Sequence, residues 1–268
     1  MRTLFILLFI TILTYPAKAA KVDTVSVYSP SMKKYIKNVV ILPEKQKKDM
    51  PVVFMLHGAG GSYKTWTAGP SRIKDFVDQY GLVVICPDGA VTSWYFDSPL
   101  DSTMRYETYV AKELTQWANE NLPISKDRKK RAITGLSMGG HGAFYLAINH
   151  PEQWGNIGST SGGIDFRNFP DSWNIKLRIG EKDKYPENWE NYTVFNHIDK
   201  IKKGNFNIYV DCGTEDFFYP MNKAFHERLL YEKIPHEYTD RPGAHNWDYW
   251  KNSICYQLMF FGDKMSQE

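Results

Sequence analysis

Short apolar, β-branched or aromatic runs bounded by turn residues recur along the chain, and each predicts a strand. They span residues 24–28, 35–42, 52–56, 82–86, 132–135, 157–160, 206–212 and 237–240. Runs 52–56 and 82–86 are apolar throughout and 132–135 nearly so, as strands covered on both faces of a parallel sheet should be. The first two runs alternate more, which suits an antiparallel pair at a sheet edge. Between the strands the period becomes helical. Ile73, Phe76 and Val77 share one face of 71–80, which stops at Gly81, and Val110, Leu114 and Trp117 share one face of 107–122. Segments 139–149, 222–232 and 247–261 follow the same rule. Strands alternating with helices predict an α/β domain with a mostly parallel central sheet and helices on both faces. Residues 162–203, rich in Asn, Asp, Lys and aromatics, keep neither period. They are too few for a domain and many for a loop, so a cap or lid over the sheet edge is expected there.

The N-terminus changes the domain count. Met1-Arg2 gives a positive start, Leu4 to Tyr15 is mostly apolar, and Ala17-Lys18-Ala19 has the small residues of a cleavage site. This is the pattern of an export signal over residues 1–19, its apolar run too short to span a bilayer, which takes roughly 20 residues. The expectation is therefore export and no stable membrane insertion once the signal is removed. Residues 20–268 then form one catalytic-sized domain.

Charge and cysteine content narrow the partners. The formal charge of +3 falls to +1 without Arg2 and Lys18, too little to draw nucleic acid or an anionic surface. Basic clusters at 45–48 and 126–131 lie in polar stretches and read as solvated loops. Three cysteines, Cys86, Cys212 and Cys255, show no CxxC and no zinc-type spacing, so neither metal nor cofactor is expected. Burial as small hydrophobes is the simplest reading, and one disulfide with a spare thiol stays open.

Three motifs carry chemistry. Gly135-Leu136-Ser137-Met138-Gly139 stands between a buried strand and a helix, the context a nucleophile elbow requires. The glycines permit a turn so sharp that the serine itself is strained. His57-Gly58-Ala59-Gly60-Gly61 follows the buried run 52–56. Acyl transfer needs backbone N–H groups aimed at the developing oxyanion. Met138, directly after the nucleophile, supplies one, and Ala59, with Gly58 as the alternative, supplies the other. A phosphate-cradling loop does not fit, since neither the Lys-Ser/Thr pair nor the G-x-G-x-x-G spacing is present. Pro242-Gly243-Ala244-His245-Asn246-Trp247 lies between the last strand and the last helix. It makes His245 the base, while His57 and His141 read as structural and His150, His197, His226 and His236 as surface or helix-end residues.

The chain order Ser, acid, His places the acid after run 206–212. Asp211, Glu215 and Asp216 all stand there. Asp211 is still within the strand, so Asp216 is preferred, with Glu215 as the fallback. Trp66, Trp94 and Trp247 flank the motif loops or strand ends and are candidate rings for stacking on a sugar or aryl group, although core packing explains each of them as well.

The segments HGAGGSYKTW, GLSMGGHGAF, CGTEDFFY and GAHNWDYW together resemble the esterase D-like family of α/β hydrolases. That family includes tributyrin, feruloyl and acetylxylan esterases, S-formylglutathione hydrolases and mycolyltransferases. The likeness runs from about Val22 to Phe261. It implies the α/β-hydrolase fold, a Ser137–Asp216–His245 triad, and an oxyanion hole of Met138 and Ala59. An exported enzyme meets polymers, so the expected substrate is an acetyl, feruloyl or short-chain acyl ester of plant polysaccharide or a related small molecule. Acyl transfer to a sugar and an S-formylglutathione hydrolase-like thioesterase are the alternatives. A binding module without catalysis is disfavoured because all three triad members are present.

Overall fold

The structure, a computed structural model, describes residues 19–69 and 72–266. The expected export segment lies outside the described residues apart from Ala19, as does Ser71 at the start of the first expected helix.

Eight strands form one sheet: β1 Lys21–Ser29, β2 Lys34–Leu42, β3 Val52–Leu56, β4 Val83–Pro87, β5 Arg131–Gly135, β6 Asn156–Thr160, β7 Asn207–Gly213 and β8 Glu237–Arg241. Their spatial order is β1-β2-β4-β3-β5-β6-β7-β8. β2 pairs antiparallel with both β1 and β4, and every other pairing is parallel. This is the α/β-hydrolase architecture with its antiparallel pair at one edge. Every residue of β3, β4, β5 and β6 is buried, while β1 alternates between exposed and covered positions.

Alternation within β3 divides the core. Val52, Phe54 and Leu56 face one apolar layer, with Val110, Leu114, Phe144 and Leu146. Val53 and Met55 face the other, with Phe76, Val77, Leu258 and Phe261. Burying each large aliphatic or aromatic side chain stabilises the fold by roughly 1.5–3 kcal/mol. The helices Ile73–Tyr80 and Trp247–Ser266 thus cover one face, and the helix Met138–Asn149 with the helical run 106–121 covers the other. That run contains a π-helical stretch, Tyr109–Leu114, which its amphipathic spacing did not announce. The helix after β7 starts at Tyr219, three residues earlier than the period suggested, because Pro220 fits a first turn that needs no N–H there.

Residues 162–203 connect β6 to β7 through short helices, Ile175–Ile179, Pro186–Asn191 and Ile198–Gly204. They have no core of their own. Ile164, Phe166, Ile179, Trp189 and Val194 join the main apolar layer. The segment lacks a period because its side chains fill gaps over the strand ends instead of lining one helical face.

Cys86, Cys212 and Cys255 are all free thiols, the first two buried. Among the described residues no helix is long and apolar enough to cross a membrane.

Candidate active site

All four motif loops leave the C-terminal ends of parallel strands, where open α/β sheets place their ligands. β3 delivers His57 to Gly61, β5 delivers Ser137, β7 delivers Asp216 and β8 delivers His245.

Ser137 has φ 56° and ψ −117°, a left-handed conformation that costs a non-glycine residue of order 1–3 kcal/mol. Surrounding contacts hold it there. Its N–H donates to the Thr160 carbonyl at 3.0 Å, and its carbonyl accepts from Gly140 and His141 of the following helix and from Gly163. The neighbouring glycines are required by crowding. A Cβ on Gly139 would stand 2.5 Å from the Leu56 carbonyl oxygen, and one on Gly135 would stand 2.5 Å from the Gly139 backbone. The turn thus packs the helix N-terminus directly on β3 and β5, leaving the serine hydroxyl beside a positive dipole end.

The Ser137 hydroxyl donates to His245 Nε2 at 3.0 Å. On the other side of the ring, His245 Nδ1 donates to Asp216 Oδ2 at 2.8 Å and Oδ1 at 3.0 Å. The hydrogen bonds assign this tautomer. The Asp216 side chain is fully buried, and its Oδ1 also accepts from the Phe218 N–H at 2.8 Å. Glu215 is exposed and points elsewhere. Asp211, the third acid, is buried and accepts from Ser253, Gln257 and Thr160, tying β7 to the C-terminal helix behind the histidine loop. Burial raises its carboxyl above the usual range.

The candidate oxyanion donors fit by elimination within their loops. Gly60 and Gly61 spend their N–H groups on Val91 and Gly58, and Gly139 spends its own on Leu136. Met138, first in its helix, and Ala59 and Gly58 have no such acceptor among the described residues. Gly58 lies close enough to Ser137 that a Cβ on it would reach the serine Cβ at 3.2 Å. The Met138 side chain is steadied by the Trp94 N–H, which meets its sulfur at 3.3 Å.

The other histidines have partners of their own; His197, the simplest case, donates from Nε2 to the Asn191 carbonyl at 2.6 Å. His57 is buried. Its Nδ1 donates to the Gly58 carbonyl at 2.8 Å, and its Nε2 accepts from the Gly89 N–H at 2.8 Å, which braces the loop of residues 57–61 against the loop after β4. Burial pushes its imidazole down from the ordinary value. His150 caps the C-terminal end of the helix Met138–Asn149, as a helix-end residue, and sits against Glu107 at 2.9 Å, with Tyr145 on the same carboxylate. His226 and His236 pair with each other at 2.7 Å.

His141 packs among Trp94, Phe96, Tyr145 and Phe166 and donates to the Tyr192 carbonyl at 3.0 Å. Burial, chiefly, pushes it down to about 3, so it stays neutral in the fold while an unfolded histidine protonates near 6.5. A depressed value means the native state loses stability as pH falls below about 6.5. Between pH 6.5 and 5 this loss is roughly 2 kcal/mol. Urea midpoints at pH 7 and pH 5 should therefore differ, and His141→Phe should flatten that difference. An equal drop in wild type and variant would show that His141 is not its source.

The tryptophan candidates need correction. Trp66 and Trp94 are each only 1% exposed, so neither offers a face to substrate. Trp66 donates to the Leu56 carbonyl and packs on Trp247, and Trp94 donates to the Trp173 carbonyl. Trp247 is half-buried in that pair. The rings that do border His245 are Phe217 at 4.3 Å, Trp250 at 4.9 Å and Phe218 at 5.3 Å between centroids. Phe217 and Phe218 were within the CGTEDFFY segment, but nothing in the local pattern distinguishes an outward ring from a core one.

Comparison with known proteins places the chain. The family model described as "Putative esterase" matches residues 29–261. The chain belongs to that esterase family. It is a carboxylic ester hydrolase. An acetyl esterase of Caldicellulosiruptor saccharolyticus is 28% identical over 253 residues, covering 86% of this chain and 94% of that protein. A diacylglycerol acyltransferase/mycolyltransferase of Mycobacterium leprae is 27% identical, covering 75% and 72%. The fold is shared with the substrate-bound fluorophosphonate-binding serine hydrolase F of Staphylococcus aureus. The TM-score is 0.79 at 22% identity, over 91% of this chain and 99% of the other.

Proposed function

We propose that this esterase is exported and removes acetyl, feruloyl or other short acyl groups from plant polysaccharide or related esters, with Ser137 as nucleophile, His245 as general base and Asp216 as its orienting acid. The observation that carries this reading is the unbroken hydrogen-bond chain from the Ser137 hydroxyl through His245 to Asp216, on a serine held in a left-handed turn. His245 takes the Ser137 proton as the hydroxyl attacks the ester carbonyl. The oxyanion turns towards the N–H groups of Met138 and Ala59 or Gly58, where preorganised donors act at no reorganisation cost. His245 then hands its proton to the leaving alcohol, and a water deprotonated by the same ring releases the acid. Export rests on the sequence of residues 1–19, and the acetyl preference on the name of the Caldicellulosiruptor relative.

The mycolyltransferase relative favours one second reading, in which a sugar hydroxyl replaces water on the same acyl-enzyme. The test is hydrolysis of p-nitrophenyl acetate, p-nitrophenyl butyrate and methyl ferulate, with mass-spectrometric mapping of an organophosphonate adduct. Turnover with the adduct on Ser137 is expected, and the order of the three esters reads the acyl preference. A folded protein that turns over none of them and takes no label would overturn the esterase reading. Acylated sugar formed at the expense of free acid, when glucose is added, would shift the reading to transfer.

A further inference from the structure

We propose that Phe217 and Trp173 form the seat for the leaving alcohol, and that this alcohol is a pyranose ring of an acylated sugar. The inference rests on the esterase reading above and adds the alcohol side of the substrate to it. Phe217 is 50% exposed although it follows the buried Asp216 directly. Its ring lies 4.3 Å from the His245 ring and 6.0 Å from that of Trp173, with the Phe217 and Trp173 planes only 16° apart. Trp173 is itself part-exposed and comes from the β6–β7 insert. Phe218 and Phe169 pack behind it, with centroids 5.3 and 5.4 Å away. Phe217 therefore stands half bare beside the catalytic imidazole, and the part-exposed Trp173 stacks nearly parallel to it on an aromatic backing.

The backbone underlines the placement. Trp173 and Asn174 both have positive φ, 48° and 55°. Asparagine tolerates that region, but a bulky tryptophan does not settle there without surrounding structure that enforces it. Here the Trp173 carbonyl accepts from the buried Trp94 indole at 3.4 Å.

The side of the substrate follows from the chemistry. The acyl carbonyl oxygen must turn towards Met138 and Ala59, whereas the leaving oxygen must reach His245 Nε2 to collect its proton. A substituent on that oxygen continues past the imidazole and over Phe217. An alkyl alcohol would leave the two rings uncovered. A pyranose presents a flat face of C–H groups that covers them, while its rim hydroxyls stay in water.

The test uses three acetates that share one acyl-enzyme: methyl 4-O-acetyl-β-xylopyranoside, phenyl acetate and ethyl acetate. Deacylation is common to all, so a seat for the alcohol acts through kcat/KM. Relative to ethyl acetate, Phe217→Ala is expected to lower kcat/KM for both ring-bearing acetates about tenfold. Trp173→Ala, which touches no catalytic group, should act in the same direction, and Phe217→Tyr should restore most of the loss. Ratios unchanged within twofold in both alanine variants would overturn the seat, as would equal losses on all three acetates, which mark Phe217 as a mere brace for His245. A loss confined to phenyl acetate would overturn the pyranose assignment in favour of an aryl alcohol. Saturation-transfer NMR with methyl β-xylopyranoside reads binding without turnover. A signal in the wild type that weakens in Phe217→Ala is expected, and no signal in the wild type would overturn the proposal even if the protein hydrolysed none of the acetates.

Discussion

Replacing Ser137 with alanine is expected to lower kcat for p-nitrophenyl acetate by about 10⁴–10⁶, because no other group in the site can carry the acyl intermediate. The same position should show a trade between activity and stability. Ser137 sits at φ 56°, a region glycine enters freely and alanine does not. Ser137→Gly should therefore be as inactive as Ser137→Ala but more stable than it. Relief of about 1–3 kcal/mol of backbone strain outweighs the extra chain entropy of glycine, about 0.5–1 kcal/mol. For a domain of this length the net difference raises the melting temperature by about 2–4 °C. Calorimetry of the two variants would check it. Equal melting temperatures would mean that the surrounding hydrogen bonds, and not steric strain, set the elbow.

The second large effect separates two adjacent acids. Asp216→Asn should lower kcat/KM by about 10⁴, since an amide facing His245 Nδ1 no longer selects the tautomer that leaves Nε2 free to accept the serine proton. Glu215→Gln should stay within about twofold, because its side chain is exposed and contributes nothing to the triad. Steady-state kinetics on one ester suffices. A large loss in Glu215→Gln with a small one in Asp216→Asn would reverse the assignment of the acid.

The strands and most helices were legible because their signals are local. Residues 52–56 and 82–86 are apolar at every position, and only a strand covered on both faces needs that. Ser137 was legible for a related reason. A strained turn squeezed between strand and helix demands glycines on both sides, and that demand is written in five consecutive residues. His245 and the oxyanion loop followed from their places after particular strands.

What the sequence determined by itself was thus the α/β architecture, the strained strand-to-helix turn at Ser137, the loop that carries His245 and a short list of acids. Tertiary structure decided the rest, because each remaining question turns on which way a side chain points. Asp216 and Glu215 are neighbours of the same chemistry, yet the turn after β7 buries one against His245 and leaves the other in water. Trp66 lies next to a motif loop in sequence and Trp94 just beyond a strand end, but both are closed over by packing. Phe217 and Trp173, 44 positions apart, meet over the active site only because the β6–β7 insert folds back across the strand ends. Local pattern records periodicity and backbone strain, whereas exposure beside a catalytic ring is a property of contacts between distant segments.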